Sequence, residues 1–334
     1  MKIVFISRYQ GKVERGVENY VKELGQRLGG KHQIEILTSA WQLIGRRPDI
    51  IYPLNGYWQA FGCRLCSWLT GTKLVLGGHA GIGRDDRWNL YMFPDLFIAF
   101  SQKGYEWAKK VNPFIKIVKI PHGVDLEKFN PNVKQADVNL ERPIFITVSH
   151  LVSYKRVGEV VKAVAKLERG SLLILGEGPL EKKIDALGNR LLNGLSSRAK
   201  RGDLTRLPRR PVPRNDGESK RYLRLVTPHN QVAKYLRAAD VFTLASESYE
   251  AFGLVYLEAI ACNLPVVATD DSLRREMIGS SGVFVKNPED NEEYARCLET
   301  AAKIDWRDKP VKQAKKFDWK KIAVRYLEEF EGII

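Results

Sequence analysis

Short apolar runs alternate with amphipathic stretches along the first 120 residues of the chain. The apolar runs end in Gly, Pro or Ser, as buried strands do when they lead into turns. The predicted strands are residues 2–7, 33–39, 73–78, 95–101 and 115–123. Residues 17–28 repeat apolar side chains at helical spacing, so they predict a helix after the first strand. This alternation predicts a parallel sheet with crossover helices.

A second series of the same kind follows a polar stretch, residues 131–142, which we interpret as a linker. The predicted strands are residues 144–150, 171–179, 240–245 and 264–269, and the predicted helices are residues 157–167, 253–262 and 319–330. The domains are therefore expected at residues 1–130 and 143–312. We expect an α/β protein of two facing, Rossmann-like, doubly wound domains. Ligands bind such folds at the carboxyl ends of the strands, which here would line an interdomain cleft.

Length and composition agree with this organisation. The 334 residues suit two domains, and 44% hydrophobic with 28% charged residues are ordinary globular values. No apolar run reaches the roughly 18 residues that a membrane-spanning helix needs. The opening MKIVFISRYQGK lacks a long apolar region and a small-residue cleavage site. We therefore expect a soluble, cytoplasmic protein.

The charge balance is unusual. Lys and Arg number 54 against 39 Asp and Glu, a net charge of +15, which favours an anionic partner. Residues 190–224 hold eleven cations and three acids. This basic insertion is interpreted as a mobile surface segment, or alternatively as a contact for lipid headgroups on the inner face of a membrane. It lacks interleaved aromatic residues and any recognition helix, so specific nucleic-acid binding is not expected.

Candidate metal and nucleotide motifs are sparse. Cys63 and Cys66 form a single CxxC without a second pair at zinc-like spacing, and two thiolates do not close a zinc site. The chain has no Asp-x-Asp and no phosphate-binding GxxxxGK[ST] motif. No metal and no cofactor are therefore expected.

Residues 246–269, SESYEAFGLVYLEAIACNLPVVAT, carry the densest chemical signal. A helix is predicted to begin near Gly253, which leaves Glu250 in the preceding loop and Glu258 within the helix. The amino end of a helix presents unpaired N–H groups that suit a phosphate, and glycine lets the phosphate approach the backbone. Glu258 has apolar neighbours, so an idle charge would be costly there. Its carboxylate is suited to accept hydrogen bonds from two sugar hydroxyls.

This segment resembles the E-x7-E signature of family 4 retaining glycosyltransferases, the glycosyl transferases group 1, which have the GT-B fold. Further stretches resemble the family in the expected order: GVENYVKEL, IPHGVDLEKFNP, ILGEGP and YLRAADVFTLAS. The resemblance covers almost the whole chain except the basic insertion. It implies two facing Rossmann-like domains, with a C-terminal helix over residues 317–334 that packs back on the first domain.

The resemblance also implies a donor, a nucleoside diphosphate sugar, and residues that bind it. Glu258 would bind the ribose hydroxyls, and Gly253 and Leu254 would present backbone N–H groups to the diphosphate. Gly16 would do so from the opposite domain. Phe252 precedes these residues in the same motif and is assigned to the donor site with them.

Three further residues are implied to take part in the chemistry. Glu250 would position the transferred sugar, and His79 would lie near the sugar and the acceptor. Lys155 would neutralise the charge that develops on the leaving diphosphate. Gly176, in a Gly-x-Gly turn with Gly178, is assigned to the nucleotide side, although that pattern alone is weak evidence.

Two positions depart from the family pattern. His150 stands where the family usually has an arginine, and an imidazole cannot make the same bidentate phosphate contact. Three readings stay open: a protonated His150, weak activity, or compensation by Arg156. In addition, Asp271 and Ser272 replace the glycines common in a loop that approaches the donor.

The expected function is transfer of a sugar, with retention, to an acceptor that is lipid-linked, a glycan or a small molecule. Two alternatives stay open. One is a catalytically weak nucleotide-sugar-binding protein of GT-B shape. The other is a membrane-surface or polyanion adaptor that uses the basic insertion.

Overall fold

The computed structural model describes residues 1–8, 10–11, 16–79, 81–194, 220–247 and 252–334. These residues form two six-stranded parallel sheets. The first sheet contains β1 (Lys2–Ile6), β2 (Gln33–Leu37), β3 (Ile50–Pro53), β4 (Lys73–Gly77), β5 (Leu96–Ala99) and β6 (Ile117–Lys119). The second contains β7 (Ile144–Val148), β8 (Ser171–Leu175), β9 (Tyr222–Leu225), β10 (Val241–Leu244), β11 (Val266–Thr269) and β12 (Gly282–Val285).

Helices connect successive strands, as parallel pairing requires. In the first domain they are α1 (Gly16–Leu28), α2 (Trp58–Thr70), α3 (Arg84–Tyr91) and α4 (Gln102–Val111). In the second they are α5 (Val157–Ala165), α6 (Glu181–Leu192), α7 (Val232–Ala238), α8 (Leu254–Ala261) and α9 (Ser272–Ile278). Three more helices follow the last strand: α10 (Asn291–Lys303), α11 (Lys309–Ala314) and α12 (Trp319–Glu331). The expected pair of Rossmann-like domains is confirmed.

Strand order decides where each domain opens a crevice. The first sheet runs β2-β1-β3-β4-β5-β6, and the second runs β12-β11-β10-β7-β8-β9. The direction of winding therefore reverses between β1 and β3 in one domain and between β7 and β10 in the other. Loops diverge at such a switch point and leave a crevice beyond the carboxyl ends of the strands. Helix α1 follows β1, and helix α8 follows β10, so the amino ends of both helices lie at these points.

Each predicted strand is observed, although two are clearly shorter: residues 115–123 form a strand only over Ile117–Lys119, and residues 171–179 only over Ser171–Leu175. The sequence analysis did not identify β3, β9 or β12, each only four residues long. It also did not identify eight of the described helices, namely α2, α3, α4, α6, α7, α9, α10 and α11. The strongly apolar α8 was predicted within one residue at each end, because its buried face covers most of the helix.

The last helix, α12, lies against α1 of the first domain. Tyr20 on α1 donates a hydrogen bond to the Tyr326 hydroxyl at 2.8 Å, and both side chains are buried. Trp319, at the start of α12, packs over Gly123, where a Cβ atom would lie 2.4 Å from the indole. Glycine at 123 is therefore needed for the chain end to return to the first domain.

A charged contact also joins the domains. Glu276 on α9 pairs with Lys119 at the end of β6, with Nζ to Oε1 at 3.0 Å. The other carboxylate oxygen of Glu276 accepts a hydrogen bond from the Gln102 backbone N–H at 2.9 Å, at the amino end of α4. These contacts set the first domain against the second on the side of α9.

Candidate functional site

The amino ends of α1 and α8 meet across the two domains. Gly16 is the first residue of α1 and Leu254 the first of α8. A Cβ atom built on Gly16 would lie 3.8 Å from Leu254 Cδ1. Each helix end leaves its first N–H groups without intrahelical partners and carries partial positive charge. Two such ends beside one gap form a site suited to an anion with two charged groups.

The turn into α8 depends on a glycine. Gly253 caps the helix with φ +83° and ψ 61°, a left-handed conformation that other residues adopt only with strain. The preceding Phe252 is buried, and its ring centroid lies 4.7 Å from that of His122 in the first domain. Phe252 therefore fixes the start of α8 against the opposite domain.

Glu258 lies behind this helix end as part of a chain of three polar groups. Its carboxylate is buried, and Oε1 lies 2.8 Å from His229 Nε2. His229 Nδ1 in turn lies 3.1 Å from Lys128 Nζ. An ammonium group can only donate, so Nδ1 accepts and Nε2 carries the proton given to Glu258. Glu258 Oε2 is buried and has no hydrogen-bond partner within the described part of the chain.

His229 is a residue whose role the sequence analysis did not identify. It belongs to a 3₁₀ turn before α7, 29 positions before Glu258. No local pattern links the two residues. Their contact arises because the loop after β9 and helix α8 are neighbours in space.

The loop after β7 carries three of the cations considered from the sequence. Lys155 is half-buried, with Nζ 5.5 Å from the centroid of the Tyr154 ring. Arg156 pairs with Glu247 at 3.5 Å and with Glu289 at 3.3 Å. This pairing argues against Arg156 as the substitute for the family's arginine. His150 is exposed at the end of the strand.

Gly176 has a packing role that does not need a ligand. Its φ is +156°, and a Cβ atom there would lie 1.9 Å from the Ser149 carbonyl oxygen. Gly178 is similarly close, with a hypothetical Cβ 2.7 Å from the Leu151 nitrogen. Arg224 Nη1 donates to the Gly176 carbonyl at 3.1 Å. The two glycines thus allow the end of β8 to lie directly on the loop after β7.

His79 belongs to an aromatic cluster at the carboxyl edge of the first sheet. Its Nε2 lies 3.3 Å from the Tyr52 hydroxyl, and its ring centroid lies 5.0 Å from that of Tyr20 and 4.7 Å from that of Phe100. Loss of hydration lowers the pKa of His79 to about 3. The imidazole is therefore neutral near pH 7 and can act through hydrogen bonds but not through charge.

His122 is buried in the same cluster. Its ring centroid lies 4.1 Å from that of Phe100, and its Nδ1 has no hydrogen-bond partner among the described residues. Burial, and then the neighbouring His79, hold the pKa of His122 well below its usual range. The cluster therefore excludes positive charge.

These two pKa values predict acid destabilisation. In the folded protein His79 and His122 stay neutral, whereas in the unfolded chain they bind protons below about pH 6.5. Their contribution to stability is therefore complete above that pH and is lost as the pH falls toward the pKa values of the two histidines in the folded protein. We expect the free energy of unfolding to fall by up to about 1.4 kcal/mol per pH unit for each histidine.

Urea unfolding between pH 7.5 and 4.5 measures this slope. His122→Phe keeps a ring in the cluster and removes one titrating group, so its slope should be shallower than that of the unsubstituted protein. Equal slopes in the two proteins would contradict the assignment of His122.

Arg274 is a second residue that the sequence analysis missed. Its guanidinium is fully buried and donates to Ser246 Oγ at 2.7 Å and to the Glu247 carbonyl at 3.0 Å. Asp271 caps α9 by accepting from the Arg274 backbone N–H at 2.9 Å, and it also pairs with the guanidinium. Asp271, noted as a departure from the family, therefore holds the arginine that supports the loop leading toward α8.

Some predicted features lie outside the described residues. They include Glu250 and most of the basic insertion, residues 195–219. Within the described ranges, no cluster of three or more His, Cys, Asp or Glu side chains could hold a metal ion, and Cys63 and Cys66 are free thiols. The described helices include none with the length and apolar character needed to cross a bilayer.

Comparison with known proteins relates the second domain to a family of glycosyltransferases. Residues 142–303 match the family model of the glycosyl transferases group 1. The chain is 25% identical over 209 residues to the putative teichuronic acid biosynthesis glycosyltransferase TuaC of Bacillus subtilis, covering 60% of this chain and 45% of that protein. It is 37% identical over 112 residues to a D-inositol 3-phosphate glycosyltransferase of Streptosporangium roseum, covering 31% of this chain and 25% of that protein. The chain thus spans less than half the length of either relative.

Solved structures of other proteins superpose on nearly the whole of this chain. HepE of Anabaena, determined with UDP and glucose, superposes with a TM-score of 0.76 at 17% identity, covering 99% of this chain and 100% of that one. Sucrose-phosphate synthase of Thermosynechococcus elongatus superposes with a TM-score of 0.78 at 18% identity, covering 100% and 99%. At such identities the likeness concerns the fold. It shows that this chain has the GT-B fold, and residues 142–303 within it match the glycosyl transferases group 1.

Proposed function

We propose that the protein transfers a sugar from a nucleoside diphosphate sugar to an acceptor, with retention at the anomeric carbon. The observation that carries the proposal is the meeting of two helix amino ends, at Gly16 and Leu254, with the buried Glu258 behind one of them. The names of the curated relatives, and the UDP and UDP-glucose bound to structural neighbours, support a nucleotide-sugar donor. The acceptor belongs to the lipid-linked, glycan or small-molecule class.

In this proposal the donor's diphosphate lies between the two helix ends. Backbone N–H groups near Gly16, Gly253 and Leu254 donate to its oxygens, and the helix dipoles add positive potential. Lys155 supplies the full charge that stabilises the diphosphate as it leaves. The exposed His150 contributes a hydrogen bond in place of the family's arginine.

Glu258 binds the ribose through Oε2, which has no hydrogen-bond partner among the described residues. His229 already donates to Oε1, so Oε2 retains its accepting capacity for a sugar hydroxyl. The hydrogen bond from His229, whose ring is itself held by Lys128, keeps the carboxylate in one orientation. This geometry therefore serves positioning rather than proton transfer.

The chemical step breaks the bond between the anomeric carbon and the diphosphate oxygen. The acceptor oxygen forms the new bond on the same face of the sugar, and its proton passes to the leaving phosphate oxygen. Glu250 holds the hydroxyls of the transferred sugar. His79, neutral because its pKa is lowered to about 3, orients the sugar and the acceptor by hydrogen bonding.

Donor binding provides the first test. A thermal-shift screen against UDP-, GDP-, ADP- and CDP-sugars should find one donor that raises the melting temperature by about 5 °C at saturating concentration. Glu258→Gln should weaken binding of that donor about tenfold, because a neutral amide replaces a charged acceptor. Glu299→Gln, a change in an exposed ion pair on α10, is the matched control and should bind as the unsubstituted protein does.

Turnover of the same donor then separates an enzyme from a binding protein. We expect sugar transfer or donor hydrolysis that Glu250→Gln abolishes. Binding without turnover across a panel of acceptors would instead favour a nucleotide-sugar-binding protein. If no donor stabilises the protein, the proposed site is wrong.

A further inference from the structure

Three buried side chains of the first domain each keep an oxygen atom without a hydrogen-bond partner in the part of the chain that the structure describes. The atoms are Ser7 Oγ, Glu18 Oε2 and Asn89 Oδ1, and the three residues are 1%, 6% and 5% exposed. A buried acceptor that lacks a partner destabilises the folded protein. Such atoms are therefore rare in native structures, and those that persist indicate a bound molecule or a functional role.

Two of these oxygens lie at the ends of neighbouring strands. Ser7 follows β1 directly, and Asn89 lies on α3 beside the loop after β3, where a Cβ atom on Gly56 would be 3.2 Å from Asn89 Oδ1. The loops after β1 and β3 are joined by the Arg8 backbone N–H, which donates to Asn55 Oδ1 at 3.0 Å. Ser7 and Asn89 therefore both lie at the switch point of the first domain, where β1 pairs with β3.

Glu18 reaches the same edge of the sheet from α1. At 100° per residue, its side chain points about 200° away from that of Gly16 and within about 20° of Gly25. Gly25 lies against β2, with a hypothetical Cβ 3.4 Å from Ile34 Cγ2. Seven residues of helix, about 10 Å, then bring Glu18 over the carboxyl end of β2. The Ser7 backbone N–H donates to the last carbonyl of β2 at 2.8 Å, so Ser7 and Glu18 lie at one place.

The surroundings favour a ligand that donates hydrogen bonds. Asn89 Nδ2 donates to Asp86 Oδ1 at 3.2 Å, which leaves the amide oxygen for a donor. Asp86 is itself buried, so this edge holds a second buried carboxylate besides Glu18. The described cations nearest in sequence, Arg8 and Arg87, are exposed, where water and salt screen their charge. Carboxylate and amide oxygens accept from hydroxyl groups, whereas a phosphate offers mainly acceptor atoms and negative charge.

Tyr57 provides an apolar surface beside these oxygens. It follows Gly56 and has φ 56° and ψ −126°, a conformation that a bulky side chain adopts only with strain. Its ring is 44% exposed, and its hydroxyl donates to Asp85. Sites for small molecules commonly combine an aromatic ring with a few polar groups that fix orientation.

We propose that this edge binds the hydroxyl groups of the acceptor, and that the reacting end of the acceptor is a neutral sugar. Glu18, Ser7 and Asn89 accept hydrogen bonds from its hydroxyls, and the Tyr57 ring contacts its apolar face. On the donor side, Glu258 Oε2 shows the same combination of burial and a missing partner within the described ranges. The inference rests on the proposed sugar transfer and selects its acceptor: a glycan or lipid-linked sugar whose terminal ring carries no charge.

Saturation-transfer NMR on the full chain tests this assignment, first with the protein alone and then with the donor found by the thermal-shift screen. The probes are methyl glycosides of glucose, galactose, mannose and N-acetylglucosamine, and the 6-phosphates of the same sugars. At least one neutral glycoside should bind, and its 6-phosphate should bind about tenfold more weakly or not at all. Glu18→Gln should raise the Kd of that glycoside about tenfold or more, because a charged acceptor is lost.

Stability separates this role from a structural one. The melting temperature of Glu18→Gln without ligand should stay within about 1 °C or rise. Removal of an unpartnered buried charge offsets the loss of its attraction to the amino end of α1. A carboxylate that only supported the fold would instead lower the melting temperature when replaced. Glu23→Gln, on the same helix, is the matched control, because Glu23 pairs with Arg27 and should not affect glycoside binding.

Three results would overturn the proposal: no glycoside binding with or without the donor, tighter binding of the 6-phosphates, or equal affinity of Glu18→Gln and the unsubstituted protein. Failure of the proposed function gives a different result, because the measurement on the protein alone needs neither donor nor turnover. A protein that binds a neutral glycoside through Glu18 but binds no nucleotide sugar would retain this sugar site and refute the transfer.

Discussion

Lys155→Ala should lower turnover of the donor sugar by about 100- to 1,000-fold, the usual effect of removing one group that stabilises transition-state charge. Lys155 lies in the loop after β7, at the switch point of the second domain, and is half-buried. Negative charge on the diphosphate grows as the sugar leaves, so the ammonium group contributes more to the transition state than to the bound donor. The value of kcat should therefore fall much more than donor affinity does.

The control for this experiment is another lysine on the helix that follows. Lys162 on α5 pairs with Glu159 at 2.8 Å and is partly exposed. Lys162→Ala should leave kcat unchanged within about twofold, since an ion pair of this kind contributes little. If Lys155→Ala retains full activity while the donor still binds, another cation must neutralise the diphosphate.

Gly176→Ala should destabilise the second domain by about 3 kcal/mol or more, because the new methyl group would clash with the backbone. The Cβ atom would lie 1.9 Å from the Ser149 carbonyl oxygen, and φ at this position is +156°. Relief requires β8 to move away from the loop after β7, which also carries Lys155. The melting temperature should fall by about 6 °C or more.

Gly71→Ala isolates the backbone component of this effect. Gly71 also has a positive φ, +74°, but nothing lies within 4 Å of its hypothetical Cβ. Its substitution should cost only about 1–2 kcal/mol. Equal losses of stability in the two variants, measured by urea unfolding, would show that the contact with Ser149 is not the cause.

The local structure around Gly253 and Glu258 was predictable from a short motif. Residues 252–258 combine a glycine, a helix start and an acid among apolar residues, and the structure places Gly253 at the cap and Glu258 within the buried part of α8. Local propensity and periodicity decide such features, because the interactions that form them span only a few positions. The roles of these residues in catalysis remain predictions.

Helix α2 was not predictable to the same degree. Large apolar residues recur along it at ordinary helical spacing, and periodicity alone would turn them toward the core. The structure instead buries Ala60, Cys63 and Ser67. Small side chains let the helix lie close to the sheet. Which side of the helix is buried therefore depends on the space available above β3 and β4.

The sequence by itself determined the two α/β halves, the helix that begins at Leu254 and the excess of positive charge. Only the tertiary structure decided the order of the strands, and with it the crevices between β1 and β3 and between β7 and β10. It also decided that His229 supports Glu258 and that Arg274 supports the loop before α8. These features depend on contacts between residues far apart in the chain and on how completely water is excluded, and neither quantity is encoded in a local pattern.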